Sequence, residues 1–399
     1  MKRIFTLSVL ATLSVSAMAQ VQPFENGFYH ARNVGTTRWI TMRDNYSSGL
    51  NTRTTTYDVS ALCTFRSYSN IVSDAGSVVY VAKLGTGYNL YAQGADVYSF
   101  TNGFVVYLAN GSVANSYILY SRYSGVEAHL NDASSYREEG VVSTTYNSSN
   151  PDNEFWYIQP VSQEDEQYFG VTPTVQIGND YYQTLYTWFG YSFYSEGMSA
   201  WYVKRVTDDG YAIIAPVEGT QIHGATPVII KCAGAEPSDN RLTPVYDTQS
   251  GPADNKLTGV YFCHDVGRLG LQIEGPHRVV TDFDPATMRV LGKTSDGRLG
   301  LVNGTEWVKA SYDSDKEVTY YLIPANTCYV SVSESAPAEL PLLTEEEYVN
   351  LAVTSLHADD AAKVQGVFTL SGQQLNATGE TTGLPAGVYV VNGRKQVVR

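Results

Sequence analysis

The sequence has little that would make a membrane helix, a metalloprotein or a redox enzyme. After its first twenty residues, no stretch is long and apolar enough to cross roughly 30 Å of hydrocarbon as a helix. Only four cysteines occur, Cys63, Cys232, Cys263 and Cys328. None is spaced C-x-x-C, so the pattern supports neither a zinc site nor a thioredoxin-like centre. The six histidines are scattered, with no H-E-x-x-H array. No G-x-S-x-G elbow, P-loop or strand-borne G-x-G-x-x-G is present. Positive charge is also scarce: 26 Lys and Arg stand against 40 Asp and Glu, a formal net charge of −14. Such a surface repels phosphate backbones and anionic lipid, which argues against nucleic acid and passive membrane binding. No set of groups with complementary proton affinities stands out, so no catalytic residue, metal or cofactor is expected.

What is there begins with an export signal. Lys2 and Arg3 precede the apolar run Ile4 to Val15, and Ala17-Met18-Ala19 fits the small-x-small cleavage rule. Residues 1–19 are read as a signal peptide, which places the protein in the periplasm, on the outer-membrane surface or outside the cell. The remainder, about 380 residues, suggests two or three domains. A hydrophobic fraction of 43% suffices for real cores. Tyrosine is unusually frequent, at 31 residues. Its apolar ring and polar tip suit half-buried strands, and exposed Tyr adds faces for sugars or proteins. Export also permits disulfides, and Cys232 with Cys263 forms the best candidate pair.

Short Val/Ile/Tyr/Thr runs broken by Gly, Asn and Asp predict an all-β fold. Examples are Val78–Val81, Phe104–Leu108 and Thr319–Ile323. Helix is read in one place, Leu343 to Leu351, where Thr344 and Glu347 form a capping box. Over residues 21–162 three units repeat as strand, Gly-bearing turn and strand, beginning at Gly27, Val79 and Tyr117. These units resemble the repeats of ricin-type β-trefoil domains, with Glu154-x-Trp156 standing where that family has Gln-x-Trp. Residues 168–336, through Ser195-Glu196-Gly197, Thr226-Pro227-Val228-Ile229-Ile230 and Ile323-Pro324-Ala325-Asn326, resemble an uncharacterised β-rich module of Bacteroidetes-type surface proteins. Residues 337–362 read as a Pro-rich linker with the short helix. Residues 363–399 pair two alternating strands with an Asn392-Gly393 hairpin turn. They resemble C-terminal modules recognised by type IX secretion, which implies secretion machinery as a partner. The expected architecture is a β-trefoil-like domain, then a β-sandwich or barrel-like domain, then a small C-terminal β module.

Sugar binding needs an aromatic face beside fixed polar groups. Trp39 with Asp44 and Asn45 is the first such set, and Tyr88, Asn89 and Asp96 the second. Trp39 also reads as a core residue beside apolar Ile40 and Met42. Asp282-Phe283-Asp284 and Asp313-Ser314-Asp315 place alternate carboxylates that could reach one hard cation, or simply form solvated turns. The function these features support is an exported, non-enzymatic binding protein that takes a glycan. The alternatives are an adhesive surface protein that takes host or matrix protein, and a glycoside-acting hydrolase.

Overall fold

The computed structural model describes residues 24–41, 64–66, 71–91, 93, 104–123, 126–129, 131–132, 142–143, 150–247, 249–263, 281–313, 316–351, 366–370, 372–392 and 394–398. Residues 1–23, Cys63 and all of residues 352–365 lie outside them. The fold is all-β. The chain divides into two compact units, one ending at Val161 and the other running from Ser162 with the Val72–Gly76 segment. No helix among the described residues is long and apolar enough to cross a membrane.

In the first unit the strands are β1 (Gly27–Asn33), β2 (Trp39–Thr41), β3 (Thr64–Arg66), β4 (Val79–Leu84), β5 (Gly87–Tyr91), β6 (Phe104–Asn110), β7 (Tyr117–Tyr123), β8 (Val126–His129), β9 (Asn131–Asp132), β10 (Val142–Ser143) and β11 (Phe155–Pro160). Six of them close a ring by antiparallel pairing, in the order β1, β4, β5, β6, β7, β11 and back to β1. Hairpins β2–β3 and β9–β10 lie off the ring. A closed six-strand barrel with cap hairpins is the layout a β-trefoil requires. The phase of the repeat differs from the sequence reading. Both strands of the unit that starts at Val79, β4 and β5, lie in the ring, whereas β2 and β8 lie outside it. The equivalent strands are therefore β1, β5 and β7. Each sends a tyrosine to Phe24: Tyr29, Tyr88 and Tyr117, with ring centroids 5.4, 6.1 and 4.8 Å away.

A buried polar network ties the caps to the barrel. Arg38, beside β2, forms an ion pair with Asp132 of β9 and donates from Nε at 2.8 Å, and both side chains are almost fully enclosed. Asn33 donates to the Asn153 carbonyl at 2.8 Å, and Asn153 donates to the Asp132 carbonyl at 2.9 Å. Burial pushes the Asp132 carboxyl above its ordinary range, and the bonds from Arg38 and Thr36 pull it back.

The second unit is built around two sheets that share a strand. One runs β13 (Val175–Ile177), β14 (Asp180–Leu185), β19 (Val228–Cys232), β16 (Ser199–Val206), β17 (Ala212–Pro216). The other runs β23 (Leu299–Val302), β22 (Met288–Lys293), β26 (Thr327–Ser331), β21 (Leu257–Val260). Strand β27 (Glu339–Thr344) joins them: Glu339–Pro341 pair antiparallel with β23, and Leu342–Thr344 pair parallel with β17. The sheets meet over one core containing Val175, Val203, Ile229, Leu257, Leu301 and Leu340, the arrangement of a sandwich. A four-stranded sheet follows the order β12 (Phe169–Gly170), β20 (Arg241–Val245), β15 (Gly190–Phe193), β18 (Gln221–Ile222). Strands β24 (Lys309–Asp313) and β25 (Val318–Leu322) make a two-stranded ribbon. The C-terminal sheet has the order β29 (Gln374–Asn376), β28 (Val367–Phe368), β30 (Gly387–Val391), β31 (Arg394–Val398). Val391 pairs with Arg394 across the expected two-residue turn, with Asn392 at φ 46°.

Two expectations are corrected here. Residues 337–344 are not linker, because β27 is the strand that joins the two sheets and its Leu340 is fully buried. The helix accordingly starts at 345 rather than 343, although the capping box forms: the Thr344 N–H donates to Glu347 Oε2 at 2.8 Å and the Glu347 N–H to Thr344 Oγ1 at 3.2 Å. The Cys232–Cys263 bridge does not form either. Cys232 ends β19 in one sheet, and Cys263 follows β21, on the edge of the other. Cys232 and Cys328 are buried thiols. Burial pushes Cys232 up to about 12 and raises Cys328 further still, so thiolate, the reactive form, is suppressed at both.

Replacing Asp132 by Ala removes the carboxylate that faces a buried guanidinium and is expected to cost about 3–5 kcal/mol in a denaturant melt of the full chain. Combining Arg38→Met with Asp132→Leu should restore most of the loss, and an unchanged midpoint for Asp132→Ala would remove the network from its structural role. Iodoacetamide should alkylate Cys232 and Cys328 only after urea is added, and label found at either site by mass spectrometry under native conditions would contradict their enclosure.

Candidate functional site

The sequence-predicted sugar residues do not assemble into a platform. Asp44, Asn45 and Asp96 lie outside the described residues. Trp39 is 8% exposed, its ring beneath the Arg32 guanidinium at 5.6 Å and edge-on to His30 at 6.0 Å. Tyr88 is equally buried, and its hydroxyl accepts the Phe24 N–H at 3.2 Å. Asn89 turns its amide to the Tyr91 hydroxyl at 3.3 Å. Trp39 is therefore a core residue and Tyr88 part of the plug of the barrel, and neither offers a face for stacking. Nor do Asp282 and Asp284 form a cation site among the described residues. Asp284 accepts the Ala286 N–H at 3.0 Å and the Thr287 hydroxyl at 2.5 Å, an N-terminal turn cap. Residues 314 and 315 are outside the described set. Among the described residues no group of three or more His, Cys, Asp or Glu is arranged to hold a metal ion.

Several other tyrosines face one another, among them Tyr80 with Tyr91 and Tyr186 with Tyr261. On the barrel, Tyr107 stacks on Tyr120 at 5.6 Å and Tyr120 meets His129 at 5.7 Å. These rings satisfy each other, so their flat faces are spent on packing.

The ribbon is different. Val318–Leu322 is rich in aromatic and β-branched residues, and it pairs antiparallel in a fixed register with Lys309–Asp313. The pairs Lys309/Leu322 and Ser311/Tyr320 share one face. Ser311 and Leu322 there are fully buried. The alternate pairs, Ala310/Tyr321 and Tyr312/Thr319, must then point the other way. All four are exposed, Tyr312 at 50% and Tyr321 at 38%. The two tyrosines are diagonal neighbours, a spacing of about 7–8 Å along such a ladder. Their same-face companions are only Ala and Thr, too small to cover a ring. Neither tyrosine side chain has a hydrogen bond or ring contact among the described residues. Lys316 leans over Tyr320 at 6.0 Å, the ring of the opposite face. The root is rigid: Val308 and Trp307 pack on Val260, Phe283, Val290 and Ile323, and the Phe283 N–H donates to the Tyr321 carbonyl at 2.8 Å. The arrangement is an uncharged aromatic platform on a fixed support. The strand signal at Thr319–Ile323 was legible in the sequence. Which of two adjacent tyrosines faces water was not.

Two histidines gain carboxylates that their sequence spacing conceals. His129 Nδ1 lies 3.1 Å from Glu154. His223 Nδ1 lies 2.5 Å from Asp247 Oδ2, which also accepts Gln221 Nε2 at 3.1 Å. Asp247 Oδ1 accepts the Gln249 N–H at 2.9 Å. Burial pushes Asp247 up, but the Gln249, His223 and Gln221 bonds outweigh it and hold the carboxyl below its ordinary value. An acid–imidazole pair of this kind can orient a base. Here the Gln221 and His223 contacts instead strap β18 and the residue after it to the loop after β20.

No known protein family and no curated protein matches the chain. Among solved structures it is similar to a mosquitocidal holotoxin at 10% identity, with a TM-score of 0.25, over 78% of this chain and 45% of that one. The chain thus spans less than half the length of that toxin, and a likeness this loose carries no argument.

A carboxyl depressed in the fold stabilises it above the ordinary carboxylate range and loses that contribution as pH falls through the range. Asp247→Asn should therefore flatten the acid limb of the stability–pH curve between about pH 5 and 2 relative to the parent chain, measured by urea melts. Parallel curves would exclude Asp247 from the acid response.

Proposed function

We propose that this is an exported, non-enzymatic binding protein that presents the Tyr312–Tyr321 face to a glycan. The observation that carries the reading is the pair of exposed, uncovered rings on one face of a rooted ribbon. Stacking on such rings needs no proton transfer and no metal, in keeping with a chain whose acid–imidazole pairs serve as straps. Export rests on the Lys2–Ala19 pattern, and the basic C-terminal module is the part offered to secretion machinery. The sugar reading moves from the barrel to the sandwich unit, because the barrel's Trp39 and Tyr88 are enclosed.

A second reading has its own observation. The outer edge of β24 pairs with nothing among the described residues, and an open edge can accept an extended strand of host or matrix protein. The two readings separate in one experiment. On a combined glycan and host-protein array, the Tyr312→Ala/Tyr321→Ala chain should lose its signal while its melting temperature stays unchanged. Protein capture that survives this double change but is lost with Ser311→Pro would favour the strand-edge reading instead.

A further inference from the structure

We infer that the ligand of the ribbon is an uncharged, extended glycan, gripped by ring stacking on Tyr312 and Tyr321; this rests on the glycan reading above. Three observations converge. The face consists of Ala310, Tyr312, Thr319 and Tyr321, so it holds no charged side chain to pair with a carboxylate or sulfate. The cations of the ribbon lie elsewhere: Lys309 shares the face of Leu322, and Lys316 sits over Tyr320. The chain as a whole carries a formal charge of −14. An anionic glycan would meet net repulsion without a local cation to offset it, whereas a neutral sugar meets none.

The register supplies the shape. Tyr312 and Tyr321 stand on diagonal positions of a two-stranded ladder, about 7–8 Å apart along the backbone, and both rise clear of small neighbours. A single sugar ring can rest on one of them. Using both requires a ligand that continues from one ring to the next, which means a chain laid across the ribbon rather than a compact terminal sugar. Stacking works through the apolar C–H face of a pyranose on the aromatic face, so it tolerates many neutral hexose chains and discriminates mainly on charge and on linearity.

The test is affinity electrophoresis and calorimetry of the full chain with three probes: a soluble neutral β-linked glucan or mannan, polygalacturonate, and glucose alone. The neutral polymer should bind, with affinity unchanged between low and high salt because no ion pair is made. Tyr312→Ala and Tyr321→Ala should each weaken it about tenfold. Tyr312→Phe and Tyr321→Phe should retain binding, and free glucose should bind far more weakly than the polymer. Circular dichroism and melting of every variant establish that each is folded. Tyrosine-dependent binding of polygalacturonate in preference to the neutral polymer would overturn the inference yet leave the glycan reading standing. Loss of binding in the Phe variants would show hydroxyl bonding rather than stacking and would also overturn it. Absence of tyrosine-dependent binding to either polymer would remove both.

Discussion

The alternation of side chains along a β-strand decides what each aromatic residue in this chain does. Successive positions point to opposite faces, so once one residue of a strand is committed to a core, its neighbours are committed to the other side. Leu119 is buried in the barrel, which turns Tyr120 outward into its stack with Tyr107. Tyr29 is buried at Phe24, which turns Phe28 to meet Tyr80 at 4.9 Å. Leu322 is fully buried, which leaves Tyr321 facing water. Every one of these positions is aromatic or aliphatic, and composition alone ranks them alike. Phase is what separates plug, ladder and platform.

Where apolar burial is thin, polar side chains take over the work of fixing geometry. The first unit joins its cap hairpins to its barrel through Arg38, Asp132, Asn33 and Asn153, all buried and hydrogen-bonded. The second unit does the same with Arg289, which is 2% exposed. Its Nε donates to the Pro337 carbonyl and its Nη atoms donate to the carbonyls of Pro285, Met288 and Ala336. Burial lowers this guanidinium, and four carbonyl dipoles take the place of water around it. The effect is to pin the segment Ala336–Pro337 just before β27, at the strand on which both sheets depend. Such clamps specify one register rather than add much net stability.

These facts bound what the sequence could disclose. Local chemistry was legible: the strand runs, the Asn392 turn, and the Thr344–Glu347 box all depend on residues a few positions apart. The strand character of Glu339–Thr344 was hidden by Pro341, which reads as a linker residue. The fold accommodates it where β27 changes partner, from β23 up to Pro341 to β17 from Leu342 onward, so the ring sits at the end of a ladder instead of inside one. The pairing of His223 with Asp247 and of His129 with Glu154 bridges gaps of 24 and 25 residues, for which no periodic signal exists. The segment from Val79 reads as a repeat of its own because a strand–turn–strand pattern looks the same whether both strands lie in the ring or one lies off it. For the site, Val318-Thr319-Tyr320-Tyr321-Leu322 announces a strand but is silent on phase until Leu322 is seen in the core.

That dependence on the root has a mechanical consequence for recognition. A two-stranded ribbon is marginally stable by itself, and a platform that moves spends binding energy on being ordered. This ribbon is held at one end by Leu322 and Ile323, both fully buried, by Val308 and Trp307 against the small core, and by the Phe283 bond to Tyr321. The exposed ring proposed to meet the ligand and the carbonyl bonded to Phe283 belong to the same residue. Tyr321 is thus placed by its backbone, and Tyr312 is tied to the same strand through five cross-strand pairs. Rigidity of the platform is a property of the sandwich interior, not of the exposed face, so under the proposed function the residues that set affinity extend from the two tyrosines down into the core beneath them.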